Sequence, residues 1–503
     1  MRQLRAIEMA TTMLLALVPF QVGSAEGTIV AQCGPANGHG HLRSAPHNPP
    51  DLCLTGIPSQ VRGNGPWTWQ CRIPNGDEAT CFAAPRALKV IHYAPYRSGV
   101  TRINRQLLVA RNLFENSGKR DTTVVLKFAK GVFDFSKDGH GQTIYCDPPG
   151  SCGGIPVLDL SDIEPGSNGR LLLLGAGPNQ TQFIVGPDQI QFLGRQSRRI
   201  TIAGINLRQD RLEASQGIQV STSVRTPDGT PNWVGIDIFP GFPQMQPYPL
   251  GLWTSETGPG GGHYLRRYLE HPSCTIDAAM RQYSYREVFH DPGIPDRWWF
   301  HLERENPFNP DGGNLIGIKA KSGAGQAYVF SASNDIIFDD VRWTRRSRGV
   351  FLHGTINVQI FDSQIVPDPP ILGVPVCMAS SGGGPQFGLP DDPPTWGNVI
   401  DNFTAVNTGD DSIAIFNGHG PSGQAGFSIH GVAIRSSFAR SINLFKTPYD
   451  VPSSYDLPYG IDHWTLRHLS DCNPARPLTS PPHEPSVKDS ESDIGFSECI
   501  LYQ

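Results

Sequence analysis

From residue 124 onward the chain is a succession of short apolar runs, each closed by Gly, Asn or Asp, with no convincing amphipathic helix between them. Runs of about five residues bounded this way read as strands. They occupy 124–128, 131–135, 171–174 and 199–207, and in the later half they come in pairs. Residues 336–343 precede 349–353, 357–361 precede 374–378, 398–403 precede 412–416, and 427–434 precede 441–445. The second members begin near 350, 374, 412 and 441, in steps of 24, 38 and 29 residues. A basic step in the twenties, stretched by loop insertions, is what stacked coils of a β-solenoid produce. A sandwich or propeller would want regular hairpin turns and more even blades, and neither is present.

Residues 240–325 interrupt the pattern with Pro240, Pro243, Pro247 and Pro249, the loop 258–262, and the aromatic cluster Tyr283, Tyr285, Trp298, Trp299 and Phe300. Such an insertion either walls a groove or packs on itself as a cap.

The N-terminus has the form of an export signal: Arg2 and Arg5, an apolar stretch from Met13 to Phe20, and the small residues Gly23, Ser24 and Ala25. Gln32 precedes Cys33, where a lipid-anchored form would carry a small residue. No later segment is long and apolar enough to span a membrane. The expectation is a signal peptide over 1–25 and a secreted or periplasmic protein. All ten Cys follow the signal, as disulfides in an oxidising compartment require. Cys33, Cys53, Cys71 and Cys81 crowd into one short stretch and are expected to bond among themselves. Cys146 with Cys152, Cys472 with Cys499, and Cys274 with Cys377 are the remaining candidate pairs. No spacing matches a zinc site, and no metal or cofactor is expected. Net charge of −5 argues against a general nucleic-acid binder.

Residues 26–85 form a small unit too short for a good core of its own. Its Cys33-Gly34-Pro35-Ala36-Asn37-Gly38 start and Gly65-Pro66-Trp67-Thr68-Trp69-Gln70-Cys71 centre resemble a small Cys-containing module found beside many secreted bacterial proteins. The resemblance implies an accessory role and no chemistry, and the clustering of the four Cys implies a unit that can be removed without loss of the main fold. Trp67 and Trp69 are read as its core in preference to a sugar platform.

The tract Thr408-Gly409-Asp410-Asp411-Ser412-Ile413-Ala414-Ile415-Phe416 is the candidate place for an acid or base. Two carboxylates sit where a Gly turn enters an apolar run, and neighbours in extended chain face opposite ways. One can open outward at a strand mouth while the other braces the turn. The plain alternative is a turn in which both only cap backbone groups.

With Asn398, Val399, Asp401, Asn402 and Phe403 one coil earlier, this tract resembles the single-stranded right-handed parallel β-helix glycosidases. The polygalacturonase group and the β-helix α-galactosidases are the nearest analogues. The resemblance implies an all-β fold: a right-handed parallel β-helix domain over 86–503, with an insertion at about 240–325 and a tail from about 470. It implies an inverting glycoside hydrolase acting on an extracellular polysaccharide or oligosaccharide. Asp410 and Asp411 would be acid and base, with Asp392, in the preceding loop, as the other candidate base. Inversion needs the two carboxyls roughly 6.5–9.5 Å apart, which adjacent residues do not easily provide. Aligning the coils places Arg348 and Arg440 beside the pair, with His353 and Lys446 near the strand ends, as substrate-binding groups. A polysaccharide lyase or epimerase on the same fold, or a non-catalytic carbohydrate-binding surface protein, are the other readings.

Overall fold

The structure is a computed structural model. Its described residues run from Val30 to Asn417 with interruptions, the longest at 137–155, 221–231, 246–263, 275–282 and 389–396, and shorter ones including 345–347 and 410–411. Beyond them it describes 428–430, 433–435, 442–446 and 465–467.

Most of the described chain is strand, as expected, and from Leu88 onward the strands outside one insertion pair in parallel. Three ladders share the work. The first runs Leu88–Tyr93, Thr123–Phe128, Arg170–Leu174, the first half of Arg198–Gln209, the first half of Asn334–Thr344, Ile356–Phe361, Val399–Asp401, Ser428–His430 and Thr465–Arg467. The second takes Gly131–Asp134, Thr181–Val185, the second halves of the two long strands, Gln364–Ile365, Thr404–Val406 and Ala433–Arg435. The third takes Pro156–Asp159, Ile190–Arg195, Gln326–Ser331, Arg348–His353, Gln386–Phe387, Ile413–Asn417 and Ile442–Lys446. The chain visits the ladders in turn, so each strand lies beside its counterpart from the next circuit.

The corners between ladders are made by stacked left-handed residues. Gly204, Asp340, Asp362 and Asn402 occupy one column, with φ of 64°, 53°, 49° and 54°. Arg199, Asp335, Asn357 and Gly397 form a second, and Asp162, Gln196, Ala332 and Gly354 a third. Asp, Asn and Gly tolerate this conformation best, which is why they punctuate the apolar runs. Inside, one continuous core takes Val124, Leu126, Leu171, Leu173, Ile200, Ile202, Ile336, Phe338, Val358, Ile360 and Ile400 from the first ladder alone.

A helix that the strand pattern did not announce, Val100–Glu115, covers the exposed edge of Pro156–Asp159. Ile103, Leu107, Ala110 and Phe114 enter the common core. The Asn104 side chain imitates a strand: its amide nitrogen donates to the Val157 carbonyl (2.8 Å) and its oxygen accepts from the Asp159 amide (2.9 Å). Arg111 donates to the Ser161 carbonyl at 2.6 Å. An unpaired sheet edge is thereby satisfied. No helix among the described residues is long and apolar enough to cross a membrane.

The insertion departs from expectation. The chain is not one uninterrupted solenoid, because six antiparallel strands between Ala214–Gln219 and Leu315–Lys319 close on themselves as a barrel. It begins at 214, well before the expected 240. Tyr285, Trp298 and Phe300 fill its own core with Val234, Ile236, Leu265 and Ile316. The aromatic cluster is therefore self-packed. Residues 374–378, expected as a strand of the coil, belong to this barrel's support. Val376 sits in the barrel core, Cys377 is bonded to Cys274, and the Gln216 side chain brackets Pro375 and Cys377 with hydrogen bonds of 2.6 and 2.8 Å. The third-ladder strand of that circuit is Gln386–Phe387 instead.

The N-terminal unit is closed by Cys33–Cys81 and Cys53–Cys71, as the clustering suggested. Trp67 and Trp69 are buried in it, with Trp69 donating to the Leu52 carbonyl at 2.8 Å. It does not stand apart. Phe82 packs on Val125, Leu172, Leu174 and Ala203, the outward residues of the first ladder. That explains the unbroken apolar run 171–174: both faces of the strand are covered. A Cβ at Gly204 would collide with the Thr80 hydroxyl, so the corner must be glycine where the unit is seated. Cys146, Cys152, Cys472 and Cys499 lie outside the described residues.

Candidate functional site

Asp410, Asp411, Asp392 and Arg440 fall outside the described residues, and of Arg348 and Lys446 only the placement on third-ladder strands is described. His353 ends its strand half-buried, its ring stacked on Phe351 at 5.8 Å and 8°. What is described is the frame on either side of the acid pair. Thr408 and Ser412 are buried, and their hydroxyls meet at 2.8 Å across the two residues and Gly409 between them. Asn407 turns the chain with φ 52°, and its carbonyl accepts from the Ala379 amide at 2.8 Å. Ala414 donates to the Pro385 carbonyl at 2.9 Å. The loop 408–412 is thus pinned at its base to the preceding circuit. At Gly384, in that circuit, a Cβ would collide with the carbonyl oxygen of Ser412. No side chain fits there, a physical reason for the glycine at 384.

A second Asp-Asp pair is fully described and shows what such a pair does when it is not exposed. Asp339 and Asp340 sit at a coil corner, 1% and 2% exposed, under the N-terminal unit. Thr68 donates to Asp339 at 3.1 Å. Arg72 bridges Asp340 at 3.1 Å and Glu78 at 3.2 Å. Arg62 lies 3.4 Å from Asp401 and 3.9 Å from Asp362, its guanidinium 4.2 Å over the Phe361 ring. Burial, reinforced by Asp362, pushes the Asp339 carboxyl up to about 6. Burial and the neighbouring Glu78 hold Asp340 well above the usual carboxylate range, against the pull of Arg72. Burial likewise raises Glu78, opposed by Arg72 and Arg342. With no access for a substrate, this seam is a docking surface between the two parts of the chain. Its signal in the sequence was the Gly, Asp, Asp and Asn that each follow an aligned apolar run, at 204, 340, 362 and 402.

An open cleft of about 640 Å³ lies at the start of the first ladder. Arg120, Asp121 and Ser167 form one wall, and Arg198, Arg199, Asn334, Asp335 and Asn357 the other. Arg170 lies buried behind it, bonded to Asp335 at 2.5 Å. The only sulfur, histidine or carboxylate group near enough for a metal, among the described residues, is Cys33, Cys71 and Cys81, whose sulfurs are in disulfides.

No family model matches the chain, and no curated protein matches it. Among solved structures it is similar to the Gp54 tailspike of Acinetobacter baumannii bacteriophage AP22, solved in complex with A. baumannii capsular saccharide. Identity is 7%, 71% of this chain and 73% of that one are covered, and the TM-score is 0.14. A likeness that slight carries no argument.

Proposed function

We propose that the chain is a secreted glycan-cleaving protein, its three ladders the faces of a right-handed parallel β-helix, with Asp410 and Asp411 carrying the chemistry. The observation that supports this is the hydrogen bond between Thr408 and Ser412, which ties together the two residues flanking the acid pair just before a third-ladder strand. Rigid placement is what acid–base chemistry asks of its scaffold. The described register stacks Phe351, Gln386, Ala414 and Asn443. Three residues earlier in sequence stand Arg348, Gly383, Asp411 and Arg440. In this reading the same offset gives Asp411 a cationic residue two coils before it and another one coil after.

In this reading Asp411 protonates the leaving glycosidic oxygen. Asp410, or Asp392 from the loop before, takes a proton from water, which attacks the anomeric carbon from the opposite face. Arg348, Arg440, His353 and Lys446 hold substrate hydroxyls or carboxylates. The test is a panel of extracellular polysaccharides scored for new reducing ends and for absorbance of unsaturated products. Reducing ends without absorbance support hydrolysis; absorbance would make the protein a lyase, and neither signal on any glycan it binds would make it a binding protein.

A further inference from the structure

The cleft at the start of the first ladder is a built constellation that the acid pair does not use. Its lining includes a column of residues one circuit apart, Arg199, Asp335 and Asn357, set by the register of the ladder, with Arg170 buried behind them. Adjacent strands are about 4.8 Å apart, so the column presents cation, anion and amide at regular intervals. Buried Arg170 reaches past the intervening strand to Asp335 and also donates to the carbonyls of Ile200 and Asp335. Arg199 is anchored through the Ser167 carbonyl, 3.9 Å from Asp335. Across the cleft, Arg120 is exposed, and its guanidinium bonds to no described residue. The Asn334 side-chain amide, on a half-exposed residue, also has no bonding partner among the described residues. Among the described residues, the Arg198 guanidinium pairs with exposed Glu164 alone, at 3.6 Å.

We infer that this cleft binds a carboxylate-bearing saccharide unit, at a site separate from the Asp410–Asp411 loop. The donor set decides the class. Arg120 and Arg199 offer planar forks suited to a carboxylate. Asp121, which accepts from the Asn168 backbone and side-chain N–H groups, Asp335, which accepts from Arg170, and Asn357, which accepts from Gln359, keep further lone pairs for sugar hydroxyls, as does the Asn334 side chain. A bare phosphate or sulfate has no hydroxyl array to give to those acceptors. No aromatic ring lines the cleft, so a neutral sugar would lack a stacking platform. The strand Arg348–His353, six residues and about 20 Å long, separates this corner from the other end of the third ladder, where the loop 408–412 lies. A long acidic glycan held here would be tethered while another part of it reached the loop.

Calorimetry on the full chain carrying Asp411→Asn, so that no turnover interferes, tests this with 1,4-linked tri-glucuronic acid, maltotriose and inorganic phosphate as probes. The expected result is binding of the acidic trisaccharide only, weakened by added salt. Arg120→Ala, at an exposed position, and Arg199→Gln should each weaken it by about tenfold or more, the scale of one charge-assisted contact. Binding of the acidic probe that neither substitution changes would overturn the assignment, as would equal binding of maltotriose or phosphate, or no binding at all. Those results leave the acid-pair reading standing, because cleavage by the unsubstituted protein is measured separately.

Discussion

Replacing Asp339 by Asn should make the protein more stable at neutral pH and leave it nearly unchanged in acid. Asp339 is 1% exposed and accepts a hydrogen bond from Thr68. Asn keeps the shape and still offers Thr68 an oxygen. The cations nearby are not orphaned, because Arg62 retains Asp362 and Asp401 while Arg72 retains Asp340 and Glu78. A carboxyl raised from 3.8 to about 6 is protonated in the folded chain when it would already be ionised in the unfolded one. Its favourable contribution is complete below pH 3.8 and is lost as pH rises through about 6. Above that, holding the ionised form buried costs about 3 kcal/mol. Denaturant titration of both proteins at pH 4 and pH 7.5 reads the difference directly. Asp339→Asn should gain about 3 kcal/mol at pH 7.5 and less than about 1 kcal/mol at pH 4. Equal destabilisation at both values would show that the carboxylate is a net stabiliser of the seam and refute the reasoning.

Asn104→Ala removes both bonds at the Pro156–Asp159 edge, and the loss should be about 1–3 kcal/mol, read as a lowered denaturation midpoint. Deleting residues 26–85 uncovers Val125, Leu172, Leu174 and Ala203, so the truncated chain should aggregate or bind a hydrophobic dye rather than remain an intact main fold. Replacing Cys274 and Cys377 by Ser frees a link spanning 103 residues and should speed proteolysis near 374–378 while the parallel ladders persist.

The parallel stack was legible because its apolar runs repeat and end in Gly, Asp or Asn, the residues that occupy the left-handed corners at 204, 340, 362 and 402. The circuit through 362–387 was misread for a clear reason. Val374-Pro375-Val376-Cys377-Met378 has the composition of a strand but serves the barrel, whereas the true strand, Gln386–Phe387, is two residues long and leaves no pattern. The barrel could not be foreseen to start at 214, since Ala214–Gln219 is polar enough to pass for loop. Helix Val100–Glu115 did carry a signal, Ile103, Leu107, Ala110 and Phe114 at helical spacing, but it preceded the stretch where the strands drew attention. The seam and the cleft depend on partners far apart in sequence, Arg72 with Asp340 or Arg170 with Asp335, and no local pattern reports such pairs.

The most direct test of the proposed chemistry compares the unsubstituted protein with Asp411→Asn on whichever polysaccharide yields reducing ends, with denaturation midpoints measured alongside. Loss of ionisation at a working acid should lower the rate by at least about a hundredfold while the midpoint barely moves. An unchanged rate in a destabilised protein would mean that Asp411 serves the fold alone.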